Sequence, residues 1–191
     1  KPYQPSSSGL VTSAQQSALH GREIADSWQR IWTNEAEMSF TISKESPLGA
    51  DLVLLMARHT ADMHADTPPE SIHMMDAGQL AVPQVAFFVL REAGVAQAMG
   101  AFKRLSGSHA EIKSMHVLAE ARGRGLSKAM LDHLILEARA AGVTQLSLET
   151  GVQPTFVAAR ALYTKAGFTE CPPFEGYVED PNSVFMTRSL A

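Results

Sequence analysis

Hydrophobic residues recur along this chain with two different periods, and the two periods predict different secondary structures. Between 84 and 118, short apolar runs rich in Val, Ala and Phe are bounded by turn residues. This pattern predicts strands over 84–91, 95–103 and 109–118. Only the tight connection 92–94, which ends in a glycine, separates the first two strands, and they are therefore expected to form a hairpin.

The C-terminal half alternates helical and strand patterns. Apolar residues with helical spacing predict helices over 126–141 and 156–166. Gly142 ends the first helix and Gly167 ends the second, since glycine readily adopts the left-handed conformation that closes a helix. Strands are predicted at 144–149, 168–170 and 183–190.

The part of the chain before the hairpin contains one predicted strand and two predicted helices. Residues 39–42 have the pattern of a first strand. Ser46 followed by Pro47 is typical of a helix N-terminus, and the apolar stripe after it predicts a helix that stops near Thr67, before two prolines. A second, short helix is predicted over 70–75.

The order of these elements is β, α, α, β, β, β, α, β, α, β, β, which combines a hairpin meander with parallel crossovers. It predicts an α/β (α+β) domain with a mixed central sheet and helices on both faces, spanning 38–191. Residues 1–37 are expected to form an N-terminal extension or arm. Apolar residues of the arm share one helical stripe: Ile24, Trp28, Ile31 and Trp32. Such a stripe suits packing or subunit contact, so a homodimer is one expected arrangement.

Composition and charge exclude several classes of protein. With 45% hydrophobic and 19% charged residues, the chain has an ordinary globular composition. Its formal net charge of -4 favours neither a nucleic acid nor an anionic membrane as partner. The single cysteine, Cys171, cannot form an intramolecular disulfide, and His59 and His64 do not share a helical face, so no metal site is expected. Without a signal-peptide pattern or a long apolar run, a cytoplasmic location is expected.

A glycine-rich turn between a strand and a helix is the most informative segment. Residues 117–128 read Val-Leu-Ala-Glu-Ala-Arg-Gly-Arg-Gly-Leu-Ser-Lys. Glycines allow the backbone to approach a phosphate, and the free N–H groups of a helix N-terminus attract an anion. The turn does not fit the P-loop pattern, because no Gly-x-x-x-x-Gly-Lys-Ser/Thr occurs, and it lacks the third glycine of the dinucleotide fingerprint. It is nevertheless expected to hold an anionic ligand.

This turn resembles motif A of GNAT acetyltransferases, in which a Gln/Arg-x-x-Gly-x-Gly/Ala sequence wraps the pyrophosphate of coenzyme A. Gly123 and Gly125 match its two small positions, whereas Glu120 stands where the family usually has Gln or Arg. The segment 161–168, Ala-Leu-Tyr-Thr-Lys-Ala-Gly-Phe, resembles the Leu-Tyr-x-x-x-Gly-Phe of motif B. An asparagine often found before that tyrosine is missing. The resemblance implies a GNAT fold and acetyl-CoA as cosubstrate, without a metal.

The resemblance also implies roles for particular residues. Residues expected to contact the coenzyme are Met115, His116, Val117, Leu118, Arg122, Gly123, Arg124, Gly125, Leu126, Ser127 and Lys128. Tyr163 resembles the acid that protonates the leaving thiolate. The base that takes the proton from the amine is left open between Glu111 and Glu149, with His116 as a further candidate.

The expected acceptor is the amine of a small molecule. A lysine-like amine, with a pKa of about 10.4, depends far more on a general base than an α-amine with a pKa of about 8, because much less of it is neutral at pH 7. The identity of the base therefore bears on which acceptor the protein uses. Two alternatives stay open: a protein or peptide N-acetyltransferase, and a non-catalytic acyl-CoA-binding module that keeps the turn without the chemistry.

Overall fold

Residues 39–191 are described by a computed structural model, and they form a seven-stranded sheet with four α-helices. The strands are β1 (Phe40–Lys44), β2 (Val85–Glu92), β3 (Val95–Arg104), β4 (His109–Val117), β5 (Gln145–Gly151), β6 (Thr169–Glu170) and β7 (Ser183–Ser189). The helices are α1 (Val53–Asp66), α2 (Ala77–Leu80), α3 (Leu126–Ala140) and α4 (Val157–Lys165). The predicted element order is confirmed.

The sheet is mixed, as the sequence predicts. Its strand order is β1-β2-β3-β4-β5-β7-β6, and every neighbouring pair is antiparallel except β4 and β5. The hairpin between β2 and β3 turns on Ala93 and Gly94, which both have positive φ angles, 46° and 82°. Positive φ at both central residues is the geometry of a type I′ turn, one of the two turns that favour a two-residue hairpin.

Helices cover both faces of the sheet. A Cβ placed on Gly100 of β3 would lie 3.0 Å from Leu134 and 3.1 Å from Met130, so α3 packs directly on that face. Met99 precedes Gly100 and points to the other face, which it shares with its cross-strand partner His116. The His116 ring lies 5.3 Å from the ring of His59 on α1. Hence α1 covers the face opposite α3.

The first helix starts later than the sequence predicts. Pro47 lies in a turn, and α1 begins at Val53 after a short 3-10 segment, Ala50–Leu52. Ser46 Oγ accepts a hydrogen bond from Leu48 N at 3.3 Å, and Gly49 follows in an extended conformation. The serine therefore closes a local turn instead of capping a helix. The predicted end near Thr67 is confirmed, since Thr67 is the C-cap.

The short helix predicted over 70–75 is also misplaced. Only Pro69–Ser71 forms a 3-10 turn, and α2 begins at Ala77. Asp76 Oδ1 accepts from Gln79 N at 2.7 Å, while Gln79 Oε1 accepts from Asp76 N at 2.9 Å. This reciprocal capping box satisfies two donors at once, and it starts the helix at 77.

Residues 40–191 form one compact unit. The predicted arm over 1–37, with its tryptophan stripe, lies outside the described residues, so the domain boundary at Met38 stays a prediction. None of the helices in the described part of the chain is long and apolar enough to cross a membrane.

Candidate active site

A wedge-shaped opening separates the ends of the two parallel strands. β4 and β5 are paired only as far as Ile112 and Leu148, whereas β4 continues to Val117 and β5 to Gly151. A β-bulge at Ser114, whose φ is 52°, shifts the register of β4 against β3 at this point. Beyond the last pair, backbone groups of both strands face the opening without a strand partner.

A cavity of about 590 Å³ lies at this opening. Its floor is the end of β4 with the turn that follows, including Gly123. One wall is α1, through residues such as His59, and the other is α4, through residues such as Tyr163. Leu126 and Ser127, at the N-terminus of α3, also line it. A cavity of this size is typical of ligand sites.

The glycine turn presents free backbone and open space to this cavity. Gly123 and Gly125 have positive φ angles of 76° and 80°, and a Cβ added to either would meet no heavy atom within 4 Å. Gly125 is the N-cap of α3, and no side chain caps the helix. The N–H groups of the first turn therefore lack intrahelical partners, which leaves them available to an anion.

The basic residues of the turn are paired with carboxylates. Arg122 donates to Asp62 on α1, and it lines the cavity. Arg124 makes a bidentate pair with Glu92, at 2.9 and 2.6 Å, and Lys128 pairs with Asp132 on its own helix. These three pairs are exposed, so they contribute little to stability and leave the cations free to exchange partners.

One backbone group of β4 faces the opening. The N–H of Leu118 donates to Gln97 O on β3 at 3.0 Å. Because successive backbone groups of a strand point to opposite sides, the N–H of Val117 points away from β3, into the opening. The carbonyl of Val117 accepts from Arg122 Nε at 3.1 Å. Val117 can therefore hold a ligand carbonyl with a preorganised backbone donor.

Tyr163 is a buried side chain on the cavity wall. Its side chain is only 6% exposed, packs its ring against Phe168 at 5.9 Å, and lines the cavity. Burial, together with the charge of Glu149, raises the pKa of Tyr163 above its usual value. The phenol is therefore protonated at neutral pH, and no residue of 39–191 accepts a hydrogen bond from it.

Glu149 is a partly buried carboxylate on β5. Its Oε1 atom accepts from Ser183 Oγ at 2.6 Å. Burial raises the pKa of Glu149, and the hydrogen bond from Ser183 opposes that shift. A carboxylate with a raised pKa is a better proton acceptor than an exposed one, which suits a general base.

Glu111 is a buried carboxylate on β4 that is held by a hydrogen bond and an ion pair. Tyr177 donates to its Oε1 at 2.6 Å, and Lys113 Nζ lies 2.8 Å from the same atom. Only 3% of Glu111 is exposed. The lysine and the tyrosine fix this carboxylate in one orientation, and Glu111 does not line the cavity.

Comparison with known proteins agrees with this geometry. A model of the acetyltransferase (GNAT) family matches residues 55–168, which is more than half of the chain. The chain belongs to the acetyltransferase (GNAT) family. Its fold and its N-acetyltransferase relatives identify this GNAT protein as an acetyl-CoA-dependent acyltransferase.

Relatives and solved structures that resemble the GNAT protein match it along nearly their whole length. The chain is 43% identical over 142 residues to the uncharacterized N-acetyltransferase YsnE of Bacillus subtilis (strain 168), covering 74% of this chain and 94% of that one. It is 40% identical over 155 residues to the IAA acetyltransferase of Azospirillum brasilense, covering 78% and 97%. A Klebsiella pneumoniae structure, provisionally described as an acyl-CoA N-acyltransferase, has a TM-score of 0.65 at 29% identity and covers 80% and 98%.

The coenzyme residues expected from the GNAT resemblance separate into two groups. Those that line the cavity are Met115, His116, Val117, Arg122, Gly123, Leu126 and Ser127. Those that do not line it are Leu118, Arg124, Gly125 and Lys128. The coenzyme roles of both groups stay predictions.

The sequence did not predict that α1 forms a wall of the cavity in the GNAT protein. Burial lowers the pKa of both His59 and His116 to about 4, so both rings are neutral at pH 7. Asp62 Oδ2 lies 3.9 Å from His116 Nδ1. The apolar stripe predicted this helix, but no sequence signal could place α1 against β4. Within residues 39–191, no group of three or more side chains is arranged to bind a metal.

Proposed function

We propose that this acetyltransferase transfers the acetyl group of acetyl-CoA to the amine of a small molecule by direct attack. The observation that carries the proposal is the position of Tyr163: its protonated hydroxyl lines the same cavity as the free N-terminus of α3. Acetyl-CoA supplies the activated acetyl group. An anion-binding helix terminus and a proton donor in one cavity are what such a cosubstrate needs.

Each protein group has a separate task in the proposed reaction. The first turn of α3 and the glycine turn bind the pyrophosphate, and Val117 N–H holds the carbonyl oxygen. Glu149 accepts a proton from the attacking amine, and the Tyr163 hydroxyl donates a hydrogen bond to the departing sulfur. Because a buried tyrosine is a weaker acid than a thiol of pKa about 8.5, Tyr163 contributes chiefly by hydrogen bonding to the sulfur as charge develops there.

Glu149 suits the role of base better than the other candidates. Glu149, like Glu111, does not line the cavity, but its charge acts on the pKa of Tyr163, which does line it, and burial raises the pKa of Glu149 itself. Glu111 is already bound by a lysine and a tyrosine. His116, with a pKa of about 4, is too weakly basic to be an efficient base at neutral pH.

Three alternative functions predict a different acceptor or no acceptor. A protein or peptide N-acetyltransferase would acetylate peptides in preference to small amines. IAA is named in the description of the A. brasilense relative, and this relationship makes IAA a second acceptor to test. A non-catalytic acyl-CoA-binding module would bind acetyl-CoA and acetylate nothing. The cytoplasmic location and the homodimer also remain proposals.

The test is a screen for thiol release from acetyl-CoA with panels of amines, peptides and IAA. For the best acceptor, Tyr163→Phe should lower kcat by about 10- to 1000-fold while the Kd of acetyl-CoA changes by less than about tenfold. Calorimetry on both proteins measures the Kd. If Tyr163→Phe turns over at the parent rate, the assignment of Tyr163 is wrong. If no compound releases thiol, the binding-module reading replaces the enzyme.

A further inference from the structure

The sheet face covered by α1 carries a polar cluster that the proposed reaction uses only in part. It consists of Glu111 and Lys113 on β4, Glu149 on β5, and Tyr177 with His73 from two loops. Glu111 and Lys113 are two residues apart on one strand and share a face. Glu149 lies two residues beyond Ser147, the parallel partner of Glu111, so the two carboxylates occupy neighbouring positions on adjacent strands. The charges of His73, Lys113 and Glu111 all act on the pKa of Glu149.

Lys113 is the only lysine or arginine in this cluster, and its charge is paired with Glu111. Its Nζ atom lies 2.8 Å from Glu111 Oε1, and it donates to Tyr177 Oη at 2.5 Å and to His73 O at 3.3 Å. An ammonium has three donors. Two of them donate to protein oxygens, and the ion pair with Glu111 compensates the charge, so Lys113 is not a free cation for a carboxylate of the acceptor.

The two carboxylates, in contrast, each keep an oxygen free of protein donors. Tyr177 and Lys113 both contact Oε1 of Glu111, and Ser183 donates to Oε1 of Glu149. Within the described part of the chain, neither Oε2 atom accepts a hydrogen bond. Two carboxylate oxygens on adjacent strands are therefore available, and a cation is the group that they would attract.

Aromatic rings border the cluster. The ring of Tyr177 lies 5.2 Å from Phe174 and 5.3 Å from Phe185, and Phe185 is the cross-strand partner of Glu149. His73 packs edge-on against Tyr177 at 5.1 Å. This surface suits an apolar or aromatic body attached to the amine.

We propose that Glu111 and Glu149 bind the ammonium of the acceptor, and that the acceptor is a cationic amine with an apolar body and no carboxylate beside the amine. The inference rests on the proposed function, because it names the acceptor of the same site. An amino acid would place a further negative charge beside two carboxylates, of which Lys113 compensates only one. Tyr177 is a positioning residue, since it orients Glu111.

The test compares two probes that differ by one carboxylate, phenethylamine and phenylalanine. Each is titrated by calorimetry into the full chain saturated with CoA, so binding is read without turnover. Phenethylamine is expected to bind at least about tenfold more tightly than phenylalanine. Equal or tighter binding of phenylalanine would overturn the proposal, and so would the failure of phenethylamine to bind.

Variants locate the effect at Glu111. Glu111→Gln should weaken phenethylamine binding at least about tenfold and narrow its preference over phenylalanine, whereas Glu170→Gln, on the exposed strand β6, should change neither. Because Glu111→Gln leaves Lys113 buried without its partner and can fail to fold, Tyr177→Phe provides a second variant. It should raise the KM for the amine with kcat and the Kd of acetyl-CoA little changed. An unchanged KM in Tyr177→Phe contradicts the positioning role.

The two proposals fail in different ways. If amines are acetylated in the thiol-release screen but phenylalanine binds as well as phenethylamine, the acceptor class is wrong and the enzyme assignment stands. If phenethylamine binds selectively but no acceptor releases thiol, the amine site stands and the transfer reaction fails.

Discussion

Replacing Gly123 with valine tests whether the glycine turn binds acetyl-CoA. Gly123 lines the cavity with φ at 76°, and the position of its missing Cβ is open for at least 4 Å. The matched control is Gly142→Val, because Gly142 ends α3 with φ at 79° in equally open space and does not line the cavity. Both variants therefore carry the same backbone strain, and only one places a side chain in the cavity.

The expected magnitudes separate strain from binding. A residue with a Cβ in the left-handed region costs about 1–2 kcal/mol, which lowers the melting temperature of a domain of this size by about 2–8 °C. Both variants should show this loss. At Gly123 the side chain also fills the space that a phosphate needs, so acetyl-CoA affinity should fall at least about tenfold, or about 1.4 kcal/mol.

Thermal unfolding and calorimetry with acetyl-CoA measure the two effects on the same samples. Gly142→Val should keep the parent Kd despite its lower melting temperature. A folded Gly123→Val protein that binds acetyl-CoA with the parent Kd would refute the assignment of the turn. Equal losses of affinity in both variants would show that strain, not contact with the ligand, reduces binding.

Two further predictions concern the base and the domain boundary. Glu149→Gln should lower kcat by about 100-fold or more. The substitution should also raise the melting temperature at neutral pH, because a carboxyl whose folded-state pKa is raised destabilises the fold once it is ionised. This gain in melting temperature should shrink towards about pH 4, because the carboxyl of the parent protein is then protonated. If the gain in melting temperature does not depend on pH, burial is not the cause of the raised pKa. A chain beginning at Met38 should fold and bind acetyl-CoA, as circular dichroism and calorimetry would check, and failure to fold would place residues 1–37 in the domain core.

Local sequence signals predicted the elements whose boundaries depend on neighbouring residues. Gly94, Gly142 and Gly167 have positive φ angles at the turn or helix ends predicted for them. The errors came from competing local interactions. Ser46 closes a turn instead of capping a helix, and Asp76 starts a helix that the apolar pattern placed earlier.

By itself the sequence determined the order of strands and helices, the glycine turn before α3, and the resemblance that identifies the family. These features follow from local periodicity and from short motifs, which depend on residues close in the chain. Only the tertiary structure decided which distant groups meet. The contacts of Tyr177 with Glu111 and of Arg122 with Asp62 join residues that are 66 and 60 positions apart. Such contacts depend on how β4 and β5 separate and on which face α1 covers, and no local pattern encodes either.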